Sequence, residues 1–64
     1  MKISIEHYGE THYLKFENDD VPIAKVIQSF CYMLLAAGWS RDTIVQLFNE
    51  DGKLDNDPFD WEVN

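Results

Sequence analysis

The chain has 64 residues, of which 45% are hydrophobic, and a formal net charge of −7. This hydrophobic content excludes a disordered chain, and the acidic balance excludes a protein that holds nucleic acid or anionic membranes through clustered Lys and Arg. A single domain spanning residues 1–64 is near the smallest size at which one core balances chain entropy, and one cysteine cannot form an internal disulfide. We therefore expect a homo-oligomer, with a homodimer as the first choice.

The sequence suggests neither a signal peptide at the N-terminus nor a membrane-spanning stretch. The N-terminal residues alternate polar and apolar types and lack the apolar core region of a signal peptide. The longest run without charge, residues 26–40, is too short to cross a bilayer. We expect a cytoplasmic protein with no membrane partner, and the free cysteine agrees with a reducing compartment.

The first two predicted elements are strands over residues 2–8 and 11–17, because apolar and polar residues alternate in both. Gly9-Glu10 suits a two-residue hairpin loop with glycine first. That loop sets a register in which His7 lies opposite His12 and Ile5 opposite Leu14. One face of the hairpin then carries the apolar residues and both histidines, namely Ile3, Ile5, His7, His12, Leu14 and Phe16.

A long helix is predicted over residues 21–37, with Asp20 as its N-cap and Pro22 in its first turn. Apolar residues recur at helical spacing, and their neighbours widen the stripe to roughly half the circumference. The stripe consists of Ile23, Ile27, Phe30, Leu34 and Ala37. Because a hairpin cannot cover so wide a face, we expect the second helix, a partner subunit or both to cover the remainder.

The long helix is predicted to stop at Gly38 in the left-handed conformation, and Ser40 is predicted to cap a second helix over residues 41–50. Trp39, between them, is placed to contact Leu34 on one side and Ile44 on the other. The second helix is expected to turn Ile44, Leu47 and Phe48 inward, with Val45 at the margin.

Residues 53–64 form an acidic C-terminal segment, which we expect to dock on the domain or on a partner. The alternation of Phe59, Trp61 and Val63 with polar residues favours a short strand, added to the hairpin edge, to a neighbouring subunit or to a partner. Aromatic anchors with an acidic rim suit a basic protein surface. The candidate partner-contact residues are Asp55, Asp57, Phe59, Asp60, Trp61 and Glu62. A second hypothesis is that these acids, with Asp51, imitate the phosphates of a nucleic acid.

The sequence contains few groups with catalytic potential. His7 and His12 on one hairpin face could supply two nitrogens to zinc, copper or nickel, but two ligands do not make a site. Cys31 lies in mid-helix with no histidine within a turn to activate it. We therefore predict no catalytic residue, no cofactor and no metal, and the protein is not expected to be an enzyme.

Residues 33–44, MLLAAGWSRDTI, follow a charged hairpin and resemble a loose group of short phage-encoded proteins. These share an N-terminal hairpin, a helix ending in LLAAG and an aromatic residue, and a second short helix. The resemblance covers residues 1–48 and implies no catalytic residues. It rests on the helix caps, on the aromatic residue between the two helices and on core positions. It implies a context, since small acidic phage proteins often disable a host enzyme or defence complex or sequester a signal. The segment from Lys53 onward departs from the group's pattern.

The predicted fold is α+β, with a two-stranded β-hairpin packed on a long helix and a short second helix in the order β-β-α-α, and a short C-terminal strand as an addition. Dimerisation is expected through the exposed part of the long helix or through the C-terminal segment. The function expected is that of a non-catalytic interaction protein, a phage-type inhibitor of a host defence protein with a basic surface. The alternatives are an oligomeric sponge for a small nucleotide signal, a nucleic-acid-mimicking inhibitor, and a phage structural or assembly component.

Overall fold

The computed structural model describes residues 1–18, 20–50 and 52–63. The elements in chain order are β1 (Lys2–His7), β2 (Glu10–Lys15), α1 (Ile23–Ala37), α2 (Arg41–Gln46) and a 3₁₀ helix (Pro58–Asp60). β1 and β2 form a two-stranded antiparallel sheet. α1 is the central element, because β2, α2 and the 3₁₀ helix all pack against it. The predicted α+β fold with the order β-β-α-α is confirmed.

The predicted hairpin register is wrong by two residues. His7 lies opposite Glu10, and His12 lies opposite Ile5, so the two histidines do not face each other. The loop consists of Tyr8 and Gly9, with φ of 54° and 77°. Positive φ at both loop residues is typical of a type I′ turn, whose twist matches that of the strands, and glycine takes its second position.

The two faces of the hairpin are nevertheless as predicted, because a shift of two residues preserves the alternation. The inner face carries residues that are all partly buried, namely Ile3, Ile5, His7, His12 and Leu14. The outer face carries exposed residues only, namely Lys2, Ser4, Glu6, Thr11, Tyr13 and Lys15. The inner face of β2 lies against α1.

α1 begins at Ile23, so the predicted start at residue 21 and the predicted N-cap at Asp20 are wrong. Pro22 takes the N-cap position, with ψ of 141° and no side-chain cap. Its carbonyl oxygen accepts the first helical hydrogen bonds, from the N–H groups of Lys25 at 3.0 Å and Val26 at 3.2 Å. The physical reason is that a proline disfavours the helical conformation in the residue before it, so the helix cannot extend back through Val21.

The joint between the helices is as predicted at both caps. Gly38 ends α1 with φ of 118°, and the N–H groups of Gly38 and Trp39 donate to the carbonyls of Leu35 and Leu34, both at 3.2 Å. This pair of bonds is a Schellman motif. Ser40 then caps α2, since its hydroxyl accepts from the N–H of Thr43 at 3.2 Å.

α2 ends at Gln46 and is shorter than predicted. Ile44 and Val45 are buried, whereas Leu47 is 76% exposed. Beyond Gln46 the backbone tightens into i→i+3 bonds, in which the N–H of Leu47 donates to Ile44 at 3.1 Å and that of Phe48 to Val45 at 3.0 Å. The side-chain amide of Asn49 also donates to the Val45 carbonyl, at 2.8 Å, and competes there with a continued α-helical bond. The chain then turns away, so the expected inward position of Leu47 and marginal position of Val45 are both wrong.

The C-terminal segment forms no strand within residues 52–63 and contains the 3₁₀ helix instead. The carboxylate of Asp57 accepts from the N–H of Phe59 at 2.9 Å, and Pro58 follows it at the first helical position. A capping carboxylate followed by a proline with a helical φ favours a helical turn over an extended strand. The predicted short C-terminal strand is therefore wrong.

The molecule is flat, with extents of 35 × 31 × 14 Å. Its buried apolar residues are Cys31, Met33, Ala37, Ile44, Val45 and Pro58. In the part of the chain that the structure describes, no helix is both long and apolar enough to cross a membrane.

Candidate functional site

The C-terminal segment, described over residues 53–63, lies against α1 and is fixed there by Gln28. The side-chain amide of Gln28 donates to two carbonyl oxygens, those of Pro58 and Trp61, both at 2.9 Å. The phenol of Tyr32, one helical turn further along α1, donates to the carbonyl of Phe59 at 3.4 Å. One helix face thus binds three carbonyls of the segment and holds it on the domain.

The two aromatic residues predicted to contact a partner are half-buried inside the domain. Phe59 contacts the Tyr32 ring edge-on, with 4.9 Å between ring centroids. Trp61 contacts Phe48 edge-on at 5.6 Å. Much of each ring is therefore used in packing, and only part of its surface is left for a partner.

A pair of asparagines closes the loop that leads into the segment. The Asn49 side chain donates to the carbonyl of Asn56 at 2.7 Å and accepts from its N–H at 2.9 Å. The Asn56 side chain in turn donates to the carbonyl of Phe48 at 3.2 Å and accepts from the indole N–H of Trp61 at 2.9 Å. These residues were not singled out from the sequence, because nothing local to either asparagine indicates the other.

Arg41, at the start of α2, neutralises part of the acidic segment. Its guanidinium donates to the carboxylate of Asp57 at 2.5 Å and lies 3.7 Å from that of Asp60. The hydrogen bond and the charge of Asp57 raise the pKa of Arg41 further above its usual range. The guanidinium also lies over the Phe59 ring, 5.4 Å from its centroid. Asp57 is thus a structural residue as well as a candidate contact.

The remaining candidate contact residues are exposed. Asp55, Asp60 and Glu62 all point into solvent, and Asp60 makes only the 3.7 Å contact with Arg41. Within the described residues, Asp55 and Glu62 have no ion-pair partner. Asp51, which belonged to the phosphate-imitation hypothesis, lies outside the described residues. The structure therefore places three unneutralised or weakly neutralised carboxylates around the 3₁₀ helix.

The two histidines do not share a site: His7 lies at the joint between the helices, and His12 lies between β2 and α1. The His7 ring stacks on the Trp39 indole at 4.1 Å, with its Nδ1 3.2 Å from the carbonyl of Ala37. His12 Nε2 is buried without a hydrogen-bond partner, 3.6 Å from a carboxylate oxygen of Glu10. Over residues 1–18, 20–50 and 52–63, no three His, Cys, Asp or Glu side chains lie close enough to hold a metal ion.

A shallow depression of about 400 Å³ lies between β2 and α1. Its apolar lining residues are Leu14, Met33 and Ala36. Two exposed tyrosines, Tyr13 and Tyr32, and three polar residues, Thr11, His12 and Ser29, complete the lining. None of these described lining residues is Lys or Arg. The depression therefore offers aromatic rings, hydroxyls and the imidazole of His12, and the Lys2 ammonium lies over the ring of its lining residue Tyr13.

Cys31 is buried in the core, 2% exposed. Burial, and secondarily the charge of Asp57, raises the pKa of its thiol. A thiol kept protonated in this way is a poor nucleophile, so the geometry gives Cys31 a packing role.

Comparisons with known proteins found no relative: no family model matches the chain, and neither does any curated protein or any solved structure.

Proposed function

We propose that this protein is a non-catalytic interaction protein that binds a basic surface of another protein through its C-terminal segment. The observation that carries the proposal is that the segment is fixed to α1 while its carboxylates stay in solvent. Gln28 and Tyr32 hold the backbone of the segment, and Asp55, Asp60 and Glu62 remain exposed. A segment that is already ordered pays little conformational entropy when it binds.

The electrostatics support a basic partner. The chain carries a net charge of −7, and the exposed acids border the partly exposed Phe59 ring. Complementary charge raises the association rate and favours partners of the opposite sign, while a partly desolvated aromatic ring supplies apolar contact at the centre. Binding of this kind should weaken as the salt concentration rises.

The resemblance to short phage-encoded proteins supports a host protein as the partner. On this proposal the protein acts in the host cytoplasm as a phage-type inhibitor of a host factor, such as a defence protein. No catalytic step is needed, because inhibition follows from occupying the partner's basic surface.

The test compares two triple variants that remove the same number of negative charges. The first, Asp55→Asn/Asp60→Asn/Glu62→Gln, neutralises the acids around the 3₁₀ helix. The matched control neutralises three exposed acids elsewhere, namely Glu10→Gln, Glu17→Gln and Asp20→Asn. Each protein is immobilised and exposed to host lysate, retained proteins are identified by mass spectrometry, and the leading partner is purified for titration calorimetry.

We expect the wild type and the control to retain the same host protein and the first variant to lose it. Equal loss in both variants would show attraction by net charge alone and would contradict a defined contact surface. Equal retention of the host protein by both variants would show that the C-terminal acids are not part of the interface.

The alternative of a sponge for a nucleotide signal receives less support. The depression between β2 and α1 has the size for a small molecule, but the absence of Lys and Arg among its described lining residues disfavours a phosphate ligand. Imitation of a phosphate track is also weakened, because Asp57 is already paired with Arg41. A thermal-shift series with cyclic nucleotides tests the sponge, and mass spectrometry of purified particles tests the assembly role.

A further inference from the structure

Within the described residues, the outer edge of β1 has no neighbouring strand. The N–H and carbonyl of Phe16 bond to Met1 at 2.9 and 3.2 Å, which identifies Met1 and Phe16 as a hydrogen-bonded pair. Such pairs alternate along an antiparallel ladder. Ile3, Ile5 and His7 therefore bond to β2, whereas the residues between them direct their N–H and carbonyl groups outward: Lys2, Ser4 and Glu6.

Nothing in the described part of the chain pairs with this outer edge. β2 is the main neighbour of β1, and no backbone hydrogen bond from another element reaches the outward groups of Lys2, Ser4 or Glu6. All three residues are exposed. The strand contains no proline, glycine or bulge, which are common devices by which natural edge strands avoid pairing.

We propose that β1 pairs antiparallel with β1 of a second copy, about a two-fold axis at Ser4, so that two hairpins form one four-stranded sheet. In this register Ser4 lies opposite the Ser4 of the other copy, Ile3 opposite Ile5, and Lys2 opposite Glu6. Inner-face residues meet inner-face residues, and all outward backbone groups of Lys2, Ser4 and Glu6 gain partners. A two-stranded hairpin is marginal on its own, and four strands are a more stable unit.

The charges of β1 fit this register. Within one hairpin Lys2 lies directly opposite Lys15, and like charges in that position are destabilising. Glu6 lies opposite the uncharged Thr11 and, four residues along the strand, is about 13 Å from Lys2. Pairing with a second copy places a Glu6 carboxylate beside each Lys2 and so offsets the repulsion between the two lysines.

The inner face of β1 also favours a second copy. α1 packs mainly on β2 and meets β1 at His7, and Ile3 and Ile5 of β1 are only partly buried. The proposed register brings these isoleucines together across the axis, where each covers the other from solvent. The buried apolar area then grows without any change in the hairpin itself.

The outer edge of β2 fits a second copy less well. Its outward residues are Thr11, Tyr13 and Lys15, and antiparallel pairing about Tyr13 would place Lys15 opposite Thr11. That arrangement contains no pair of opposite charges. The β1 interface is also separate from the C-terminal segment, so the inference does not rest on the proposed function.

Charge reversal tests the register. Lys2→Glu and Glu6→Lys change the net charge in opposite directions, yet each places like charges opposite each other in both cross-strand pairs. We expect each single variant to raise the dimer dissociation constant by about tenfold or more, and the double variant to return it close to the wild-type value. Sedimentation across a dilution series near physiological ionic strength measures the constant, with general repulsion screened.

Thermal unfolding excludes simple damage to the fold. Lys2→Glu should change the unfolding midpoint of the monomer little while it weakens the dimer, because it removes the contact of the Lys2 ammonium with the Tyr13 ring, 4.9 Å from the centroid, but also replaces the repulsion from Lys15 with attraction. A wild type that is monomeric throughout the dilution series would overturn the proposal, as would a dimer indifferent to both reversals or one that the double variant fails to restore.

Cysteine cross-linking distinguishes the two strand edges. Residues opposite each other in a hydrogen-bonded pair have Cα atoms about 5.5 Å apart, within the range of a disulfide. Ser4→Cys should oxidise to a covalent dimer, whereas Tyr13→Cys, the matched variant on the β2 edge, should remain monomeric. The reverse result would assign the interface to β2 and refute the proposal.

Discussion

Gln28 is the side chain on which attachment of the C-terminal segment most depends. It is half-buried on α1 and donates to the carbonyls of Pro58 and Trp61, both at 2.9 Å. A hydrogen bond of this kind contributes about 0.5–1.5 kcal/mol, so Gln28→Ala should lower the free energy of unfolding by about 1–3 kcal/mol. Gln28→Glu should cost more, because a carboxylate cannot donate and its charge faces two carbonyl oxygens.

The assay combines urea unfolding, followed by circular dichroism, with amide hydrogen exchange. The matched control is Gln46→Ala, an exposed glutamine at the end of α2, whose change should stay within about 0.5 kcal/mol. Exchange should accelerate first at the amides of Asp60 and Trp61, which bond to the carbonyls of Asp57 and Pro58. Equal unfolding midpoints for the two variants, with unchanged protection at these amides, would refute the assigned role of Gln28.

Three further predictions concern single residues. Tyr8 is 91% exposed and has a φ of 54°, a conformation that asparagine adopts more readily, so Tyr8→Asn should stabilise the hairpin by up to about 1 kcal/mol and raise the melting temperature. A lower melting temperature would favour the other register, in which Tyr8 lies in the strand. Gly38→Ala should lower the free energy of unfolding by about 1–2 kcal/mol, and with it the melting temperature, through the strain of φ 118° alone, since no atom beyond the neighbouring residues lies within 4 Å of the added Cβ. Gly38→Asn should lose less, and equal melting temperatures for wild type and Gly38→Ala would contradict this. Cys31 should react with iodoacetamide far more slowly in the folded than in the urea-unfolded chain, as followed by mass spectrometry. Because folding raises the pKa of the Cys31 thiol, the protonated thiol contributes to the free energy of unfolding in full below the ordinary thiol pKa of 9.0. That contribution is lost as the pH rises through the folded pKa. A free energy of unfolding that increases over this pH range would contradict the prediction.

The features that the sequence predicted correctly depend on local signals. Gly38 and Ser40 act within one turn of their own helices, so the caps could be assigned from residue type. The faces of the hairpin follow from alternation alone. The register could not be assigned in the same way, because Gly9 fits either of two loops and the choice depends on whether Tyr8 tolerates a positive φ.

The C-terminal segment shows where local signals are insufficient. The alternation at Phe59, Trp61 and Val63 predicts a strand, yet the backbone carbonyls there bond to Gln28 and Tyr32 some thirty residues away. Gln28 belongs to the polar side of α1 in any reading of its periodicity. Its role cannot be predicted from the sequence, because it depends on segment carbonyls that only the folded chain brings beside it. The pairing of Asn49 with Asn56 could not be predicted for the same reason.

The two tryptophans occupy separate parts of the molecule, and this makes each a reporter of a different event. Trp39 stacks on His7, where the hairpin meets the end of α1, and Trp61 contacts Phe48 and Asn56 in the C-terminal segment. Replacing either by phenylalanine leaves a chain with one fluorophore. Coincident fluorescence transitions in the two variants would mean that the whole chain unfolds as one cooperative unit, whereas an earlier transition at Trp61 would define the segment as a separate cooperative unit.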